Sequence, residues 1–244
     1  MKKTVGFIGA GNMASAIIQG MVNSGEFKGE EIEVFDMAED KVRSLCEKSG
    51  ICAAKDNINL IEDCECVVLA VKPNALPELL RNVGKKMSDE RTFVVSIAAG
   101  QTTAKLREMI GYDLPIVRVM PNVNALAGQA ISGYTHNDLV SESQLALAKK
   151  MLDCFGKSVE IDESLFSAFS AVAGCSPAYV YLFANTLASL GVADGLTKAH
   201  SLEVVCDEMR KISERADNTE INNKELEQIV KKALTAAFEK DSKM

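Results

Sequence analysis

The first 120 residues alternate between two hydrophobic periods, and this alternation restricts the possible folds more than any other feature. Short β-branched runs end in turn residues, and a helical pattern follows each of them. The runs that we interpret as strands are Thr4–Ile8, Ile32–Phe35, Val67–Val71, Thr92–Ile97 and Ile116–Met120. Val67–Val71 is apolar at every position, which indicates a strand covered on both faces. The pattern predicts an α/β fold with a parallel sheet and helices on both sides.

From Leu165 onward the sequence changes character, and we predict no strand. Leu165–Ala173 has a helical, mostly apolar pattern, and Ser176 and Pro177 restart a helix, with Ser as the N-cap. The following helix, Ala178–Leu190, carries few charges, so it must be buried on most sides, and a second subunit is the natural cover. A charged, amphipathic stretch follows at Asn222–Lys243.

Composition excludes several classes of function. The net charge of -7, the absence of Trp and the low aromatic content (5%) argue against a nucleic-acid partner. No apolar run approaches the ~20 residues that cross a bilayer, so we expect no membrane span. The seven Cys are scattered without paired zinc spacing, which indicates reduced thiols in a cytoplasmic protein. Neither of the two histidines, His136 and His200, lies in a ligand pattern, and we predict no metal.

A glycine-rich turn lies between the first predicted strand and the first predicted helix, and it reads Gly9-Ala10-Gly11-Asn12-Met13-Ala14. In this context a GxGxxA pattern is typical of a Rossmann-type dinucleotide site. Gly9 allows the tight turn, Gly11 lets a pyrophosphate approach the backbone, and the helix N-terminus offers free N–H groups to phosphates. The alternative interpretation is a purely structural turn.

Asp36 follows the second predicted strand, 22 residues after Ala14. A carboxylate there can accept hydrogen bonds from the adenosine ribose hydroxyls. It would repel a 2′-phosphate, so we expect NADH to be favoured over NADPH. The alternative role, an N-cap for the helix from Ala38, is compatible with the first.

Several other segments directly follow predicted strands, and in a parallel sheet they share the edge where such folds bind ligands. Lys72 precedes Pro73, which forces an extended backbone that aims the lysine across the crevice. Ser96–Gly100 offers small residues against which a nicotinamide could lie, Ala98 among them, and Met120–Asn122 ends at the same edge.

Gly174-Cys175-Ser176-Pro177 is the remaining candidate for a binding segment. Cys175 has no His nearby in sequence, so a nucleophilic role is disfavoured. The start of a buried helix beside a glycine can bind an anion, which makes Asn122, Cys175 and Ser176 candidates for a substrate carboxylate. A plain helix cap is the alternative.

Taken together, these motifs resemble the pyrroline-5-carboxylate reductase family. The segments that carry the resemblance are Phe7–Ala14, Ala70–Pro73, Ser96–Gly100, Arg118–Asn122, Gly174–Tyr179 and the C-terminal Ala236–Met244. The resemblance implies hydride transfer from NAD(P)H to 1-pyrroline-5-carboxylate, a cyclic imino acid, to give L-proline. It implies a dinucleotide-binding domain at 1–162 and an all-helical dimerisation and substrate domain at 163–244. It also implies a homodimer formed through the C-terminal helices, with assembly beyond a dimer left open. The implied dinucleotide contacts are Ile8, Gly9, Ala10, Gly11, Asn12, Met13, Asp36, Asn57, Ala70, Val71, Lys72, Pro73 and Ala98.

The chain departs from the family pattern in the substrate half. Val123-Asn124 replaces the family's Thr-Pro, and Asn185 stands where a Glu is common. No match to the family's Ser-Pro-Gly-Gly-Thr-Thr substrate loop lies between Leu196 and Leu226. Two alternatives to the family activity therefore stay open: a catalytically weak dinucleotide-binding paralogue, and a reductase for a different small imine. No catalytic proton donor is identified.

Overall fold

The computed structural model describes residues 3–87 and 92–216, which fall into two compact units divided between Ala178 and Tyr179. The first unit contains one eight-stranded sheet in the order β3-β2-β1-β4-β5-β6-β7-β8. Its strands are β1 Lys3–Ile8, β2 Ile32–Phe35, β3 Cys52–Ala53, β4 Cys64–Leu69, β5 Phe93–Ser96, β6 Ile116–Met120, β7 Ala130–His136 and β8 Gly156–Glu160. All neighbouring strands are parallel except β6 and β7.

The described residues form nine α-helices. They are α1 Asn12–Asn23, α2 Glu39–Ser49, α3 Asn57–Asp63, α4 Leu76–Val83, α5 Thr103–Ile110, α6 Glu142–Asp153, α7 Phe166–Phe169, α8 Ser176–Ala193 and α9 Lys198–Ala216. The predicted α/β class with a largely parallel sheet, followed by helices, is confirmed. The division at 162/163 stays a prediction, and the stretch at Asn222–Lys243 lies outside the described residues.

Apolar side chains cover both faces of the sheet, as the uninterrupted β4 sequence predicts. Alternate residues of a strand point to opposite faces. Val68 therefore joins the core formed with α1 and α6, whereas Val67 and Leu69 join the core formed with α3, α4 and α5. All three side chains are fully buried. Burying apolar surface at about 25 cal/mol per Å² is the main force that holds such layers together.

The sequence pattern does not predict three of the strands, namely β3, β7 and β8. β3 has two residues, and β8 (Gly156–Glu160) contains only one large apolar side chain, Val159, which is exposed. In β7, Gly133 weakens the strand pattern, but it leaves room for the side chains of Ile161 and Phe169. An added Cβ would lie 2.9 Å from atoms of Ile161 and Phe169.

The second unit contains most of α8 and all of α9. Ser201 of α9 is buried against Gly191 of α8, where an added Cβ would lie 2.7 Å from the serine oxygen. α8 begins at Ser176, one residue earlier than the prediction, which made Ser176 the N-cap and Pro177 the first helical residue.

Glu163–Ala193 is a 31-residue helical stretch that is long and apolar enough to cross a membrane by length and composition. We predict from the sequence no stretch of this length and apolarity, so this helical stretch differs from that prediction. Apolar helices that pack inside soluble assemblies have the same length and composition. Much of its apolar surface is exposed in the single chain, including Tyr179, Leu182 and Phe183.

An ion pair between a buried arginine and a half-buried glutamate joins the start of this helical stretch to the sheet within the first unit. Arg118 of β6 is 8% exposed, and its Nη1 donates to Glu163 Oε1 at 3.1 Å. Its guanidinium also lies 4.0 Å from the centre of the Phe166 ring. The same carboxylate accepts the Thr103 N–H at 2.8 Å and the Thr103 hydroxyl at 3.0 Å.

We expect Glu163→Ala to lower the free energy of unfolding by roughly 2 to 4 kcal/mol, because the substitution leaves a buried guanidinium without its carboxylate. Urea unfolding measures this change. The matched control is Glu62→Ala, which removes an exposed pair with Lys86 and should change the value by less than about 1 kcal/mol. Equal effects of the two substitutions would contradict the role of the Glu163 cluster.

Candidate functional site

The carboxyl ends of β1, β2, β4 and β5 meet at one edge of the sheet, where backbone hydrogen bonds join the loops that follow them. Gly9 N donates to Phe35 O at 2.7 Å, Ala70 N donates to Ile8 O at 2.9 Å, and Ile97 N donates to Leu69 O at 3.2 Å. The predicted turn segments after these four strands therefore lie on a common edge. In open α/β folds this edge is where ligands bind.

The glycine turn has the geometry that its sequence predicts. Gly9 has a φ of 112°, and an added Cβ would lie 2.7 Å from the carbonyl oxygen of Ala70, so only glycine fits. Gly11 is different: an added Cβ would meet no protein atom within 4 Å, which leaves space beside the backbone. Ala14 is buried against the core. The turn thus leads directly into the N-terminus of α1, whose partial positive charge favours an anion.

Asp36 binds backbone N–H groups on two sides. Its Oδ2 accepts the N–H of Ala10 in the glycine turn at 2.8 Å, and its Oδ1 accepts the N–H of Ala38 at 2.9 Å. The second bond supports the start of α2, close to the capping role considered above. Each carboxylate oxygen can accept a further hydrogen bond, so both oxygens remain available to ribose hydroxyls. The sequence could not indicate the bond to Ala10, which lies 26 residues away.

A cavity of about 360 Å³ opens at this edge. Five of the predicted cofactor residues line it, namely Ile8, Gly9, Asp36, Asn57 and Val71. The volume is within the range of small-molecule sites. Residues that sequence reasoning missed also line the cavity, namely Phe35, Met37, Ala75, Glu78, Leu79 and Asn82. Met37, which is 94% exposed, directly follows β2, so its position in the sequence could have predicted it as a lining residue. The α4 residues have only an amphipathic pattern, which does not indicate a binding site.

Asn57 contributes an unsatisfied acceptor to this cavity. Its Oδ1 is buried and has no hydrogen-bond partner among the described residues. Buried polar atoms are nearly always hydrogen-bonded, so this unpaired oxygen is unusual. The cavity and the open space at Gly11 leave room for an elongated ligand at this edge.

The other predicted cofactor residues occupy neighbouring positions on the edge. Ala10 and Asn12 line a second cavity of about 420 Å³ together with Lys41. Lys72 has the extended backbone that Pro73 dictates, with φ -62° and ψ 147°. Met13 and Ala70 pack partly buried against the core, and Ala98 is 5% exposed after β5.

Asn122 has its side-chain amide engaged within the protein. It is 4% exposed, its Nδ2 donates to the carbonyl of Ala173 at 3.0 Å, and its Oδ1 accepts the N–H of Ile131 at 3.3 Å. The amide thereby fixes the segment after β6 to the π-helical turn Ser170–Gly174. This geometry favours a positioning role for Asn122 over direct contact with a substrate.

Cys175 and Ser176 lie between that π-helical turn and α8. The N–H of Cys175 donates to Ser170 O at 2.9 Å, and the Cys175 side chain is exposed. Neither residue lines the cavity beside Asp36. π-helical turns are rare and are frequent at functional sites, which keeps this segment a candidate for substrate binding.

Four of the cysteines do not extend the site. Burial raises the pKa of the Cys46, Cys64, Cys66 and Cys154 thiols, so these residues act as small apolar side chains. Within the described ranges, no group of three or more His, Cys, Asp and Glu residues could hold a metal ion.

Two family models match the chain. Residues 4–100 match the family described as NADP oxidoreductase coenzyme F420-dependent, and residues 163–222 match pyrroline-5-carboxylate reductase dimerisation. The second match includes most of the exposed apolar surface of α8.

Curated relatives and solved structures agree with these matches. The pyrroline-5-carboxylate reductase of Escherichia coli (strain K12) is 34% identical over 82% of this chain and 74% of its own. The enzyme of Aquifex aeolicus is 34% identical over 91% of this chain and 81% of its own.

Among solved structures, the 1-pyrroline-5-carboxylate reductase of Streptococcus pyogenes superimposes with a TM-score of 0.80 at 31% identity, over 93% of this chain and 84% of that one. The pyrroline carboxylate reductase of Plasmodium falciparum, solved with NADP bound, gives a TM-score of 0.84 at 27% identity, over 98% and 90%. The edge geometry and these relatives lead to one conclusion: the chain belongs to the pyrroline-5-carboxylate reductase family.

Proposed function

We propose that the protein transfers hydride from a bound nicotinamide dinucleotide to the C=N carbon of 1-pyrroline-5-carboxylate and forms proline. The observation that carries this proposal is the sheet edge, which brings the glycine turn, the Asp36 carboxylate and the unpaired Asn57 oxygen together. Family membership supplies the substrate. When bound, the dinucleotide provides the hydride, and the protein provides orientation and electrostatics.

The residues present fit a dinucleotide. We infer that the pyrophosphate lies at Gly11 and the N-terminus of α1, because a Cβ added there meets open space. The adenosine half then occupies the cavity beside Asp36, with Asn57 Oδ1 as an acceptor for one of its polar groups. Ala70–Pro73 and Ala98 extend the same edge toward the nicotinamide.

Cofactor preference follows from the charge in this cavity. Asp36 and Glu78 both line it, so two carboxylates face the adenosine half. A 2′-phosphate would add further negative charge, and like charges brought together cost binding free energy. We therefore propose that NADH is preferred over NADPH.

The substrate requires little acid catalysis, because an imine nitrogen that is already protonated accepts hydride at the adjacent carbon. The protein must then bind the substrate carboxylate, orient the C=N bond and exclude water. We propose the start of α8 at Ser176 for the carboxylate, because the N–H of Cys175 already donates to Ser170 O. Asn122 acts indirectly, by holding this segment through Ala173 O.

Oligomerisation accounts for the helical part of the chain. The exposed Leu182 and Phe183 belong to the dimerisation match, and we propose that a second copy of the chain covers them in a cytoplasmic homodimer. Burial of large apolar side chains is the usual basis of obligate interfaces.

A second candidate function is that of a dinucleotide-binding paralogue with little turnover, or a reductase for another small imine. The absence of Ser-Pro-Gly-Gly-Thr-Thr between Leu196 and Leu226 favours it. This observation concerns only the substrate half, so it leaves the cofactor site unaffected.

Turnover separates the candidates. We expect the protein to consume NADH in the presence of 1-pyrroline-5-carboxylate and to release proline, measured by NADH absorbance and by amino-acid analysis. NADH binding in calorimetry with a rate equal to the substrate-free blank would contradict the reductase and favour the paralogue. Faster reduction of 1-pyrroline, which lacks the carboxylate, would favour a different imine.

Asp36→Asn should shift the ratio of kcat/KM for NADH to that for NADPH by roughly tenfold toward NADPH, because it removes a negative charge from the adenosine cavity. A tenfold shift corresponds to about 1.4 kcal/mol. The amide keeps one acceptor for the N–H of Ala10 or Ala38. Asp138→Asn is the matched control, since Asp138 is exposed and lines neither this cavity nor the one beside Ala10 and Asn12. An unchanged NADH-to-NADPH ratio of kcat/KM in Asp36→Asn would contradict a role of Asp36 in cofactor preference and leave it only its hydrogen bonds to the backbone.

A further inference from the structure

A lysine and a cysteine contact each other at the amino ends of the strands, whereas the glycine turn lies at their carboxyl ends. Lys3 is the first residue of β1, and Cys52 is the first residue of β3. Lys3 Nζ donates to Cys52 Sγ at 3.0 Å and to the carbonyl oxygen of Glu30 at 2.6 Å. Because β2 separates β1 from β3, the lysine side chain reaches across a whole strand to make this contact.

The hydrogen bond to the Glu30 carbonyl restricts the rotamers of the Lys3 side chain. A surface lysine ordinarily samples many rotamers, and ordering it costs conformational entropy. The Glu30 carbonyl anchors Nζ beside the sulfur, so the two reactive atoms are already within van der Waals distance of each other. Insertion of one bridging atom requires little movement of the backbone.

Cys52 also differs from four of the other six cysteines. Cys64 and Cys66 are buried, and burial raises the pKa of both thiols, which disfavours the reactive thiolate. Cys46 and Cys154 are half-buried, and burial raises their pKa as well. Cys52 is half-buried, and its sulfur is in direct contact with the Lys3 Nζ.

We propose that Lys3 and Cys52 form an oxidative modification site, at which a peroxide links Lys3 Nζ to Cys52 Sγ through a single oxygen atom. The cross-link is an N–O–S bridge that fastens β1 to the edge strand β3. It is independent of the proposed reductase activity, because neither residue lines the cavity beside Asp36.

The reaction balances with two molecules of hydrogen peroxide. The sulfur first displaces water from one peroxide and becomes a sulfenic acid. The Lys3 ammonium loses one proton to solvent. The second peroxide then accepts two further electrons as the resulting amine loses one hydrogen and the N–O bond forms. In sum, one ammonium, one thiol and two peroxides give the bridge, three waters and one proton. The sulfur and nitrogen together lose four electrons. A thiol reductant returns these electrons and restores both side chains.

The test is peptide mapping of the full-length protein, reduced and then treated with hydrogen peroxide. Cleavage after glutamate gives peptide 1–26, which contains no Cys, and peptide 48–62, in which Cys52 is the only Cys. We expect a linked pair of these peptides whose mass exceeds their sum by one oxygen minus two hydrogens. Fragmentation should place the link at Lys3, and dithiothreitol should abolish it.

Three variants complete the experiment. Lys3→Arg and Cys52→Ser should each abolish the linked peptide, whereas Cys206→Ser, which removes an exposed cysteine on α9, should retain it. Sulfinic or sulfonic acid at Cys52 without a link would overturn the proposal. So would a disulfide from Cys52 to Cys46, or a link to another amine of peptide 1–26.

Discussion

The close approach of Gly9 to the carbonyl of Ala70 is the constraint on which the site depends. The backbone at Gly9 has a positive φ, its N–H donates to Phe35 O, and no side chain fits between it and Ala70. The ends of β1, β2 and β4 are thereby drawn together, so that Asp36 reaches the N–H of Ala10. One turn thus determines the position of the α1 N-terminus, of the carboxylate and of the cavity between them.

A second set of contacts organises the segment that leads to the helices. β6 ends in Asn122, whose amide holds the π-helical turn, and Arg118 of the same strand holds Glu163. Both polar side chains are buried, and a buried polar group is stable only when it is paired. Strand β6 therefore places Cys175 and Ser176 through two independent polar anchors, which suits a segment proposed to bind substrate.

Sequence reasoning succeeded where buried strands alternate with helices. β1, β2 and β4 to β6 have apolar residues on both faces, and this continuous pattern is distinctive. It failed at β7 and β8, where a glycine and exposed polar residues weaken the pattern. The site was predicted through residues that follow strands, because parallel topology alone brings them together. The bond from Asp36 to Ala10, the engagement of Asn122 by Ala173 and the α4 wall of the cavity depend on distant backbone positions. A single sequence has no periodic pattern that indicates such contacts between distant positions.

A dinucleotide pyrophosphate is proposed to occupy the space beside Gly11, and calorimetric titration of Gly11→Val with NADH checks this placement. Gly11 has φ -72° and ψ 175°, which valine adopts readily, and a Cβ there meets no protein atom within 4 Å. The variant should therefore fold with nearly the wild-type unfolding midpoint. Its affinity for NADH should fall by roughly a hundredfold, or about 2.7 kcal/mol, because the side chain fills the space of the phosphates. A folded variant that binds NADH as tightly as the wild type would contradict this account of the site.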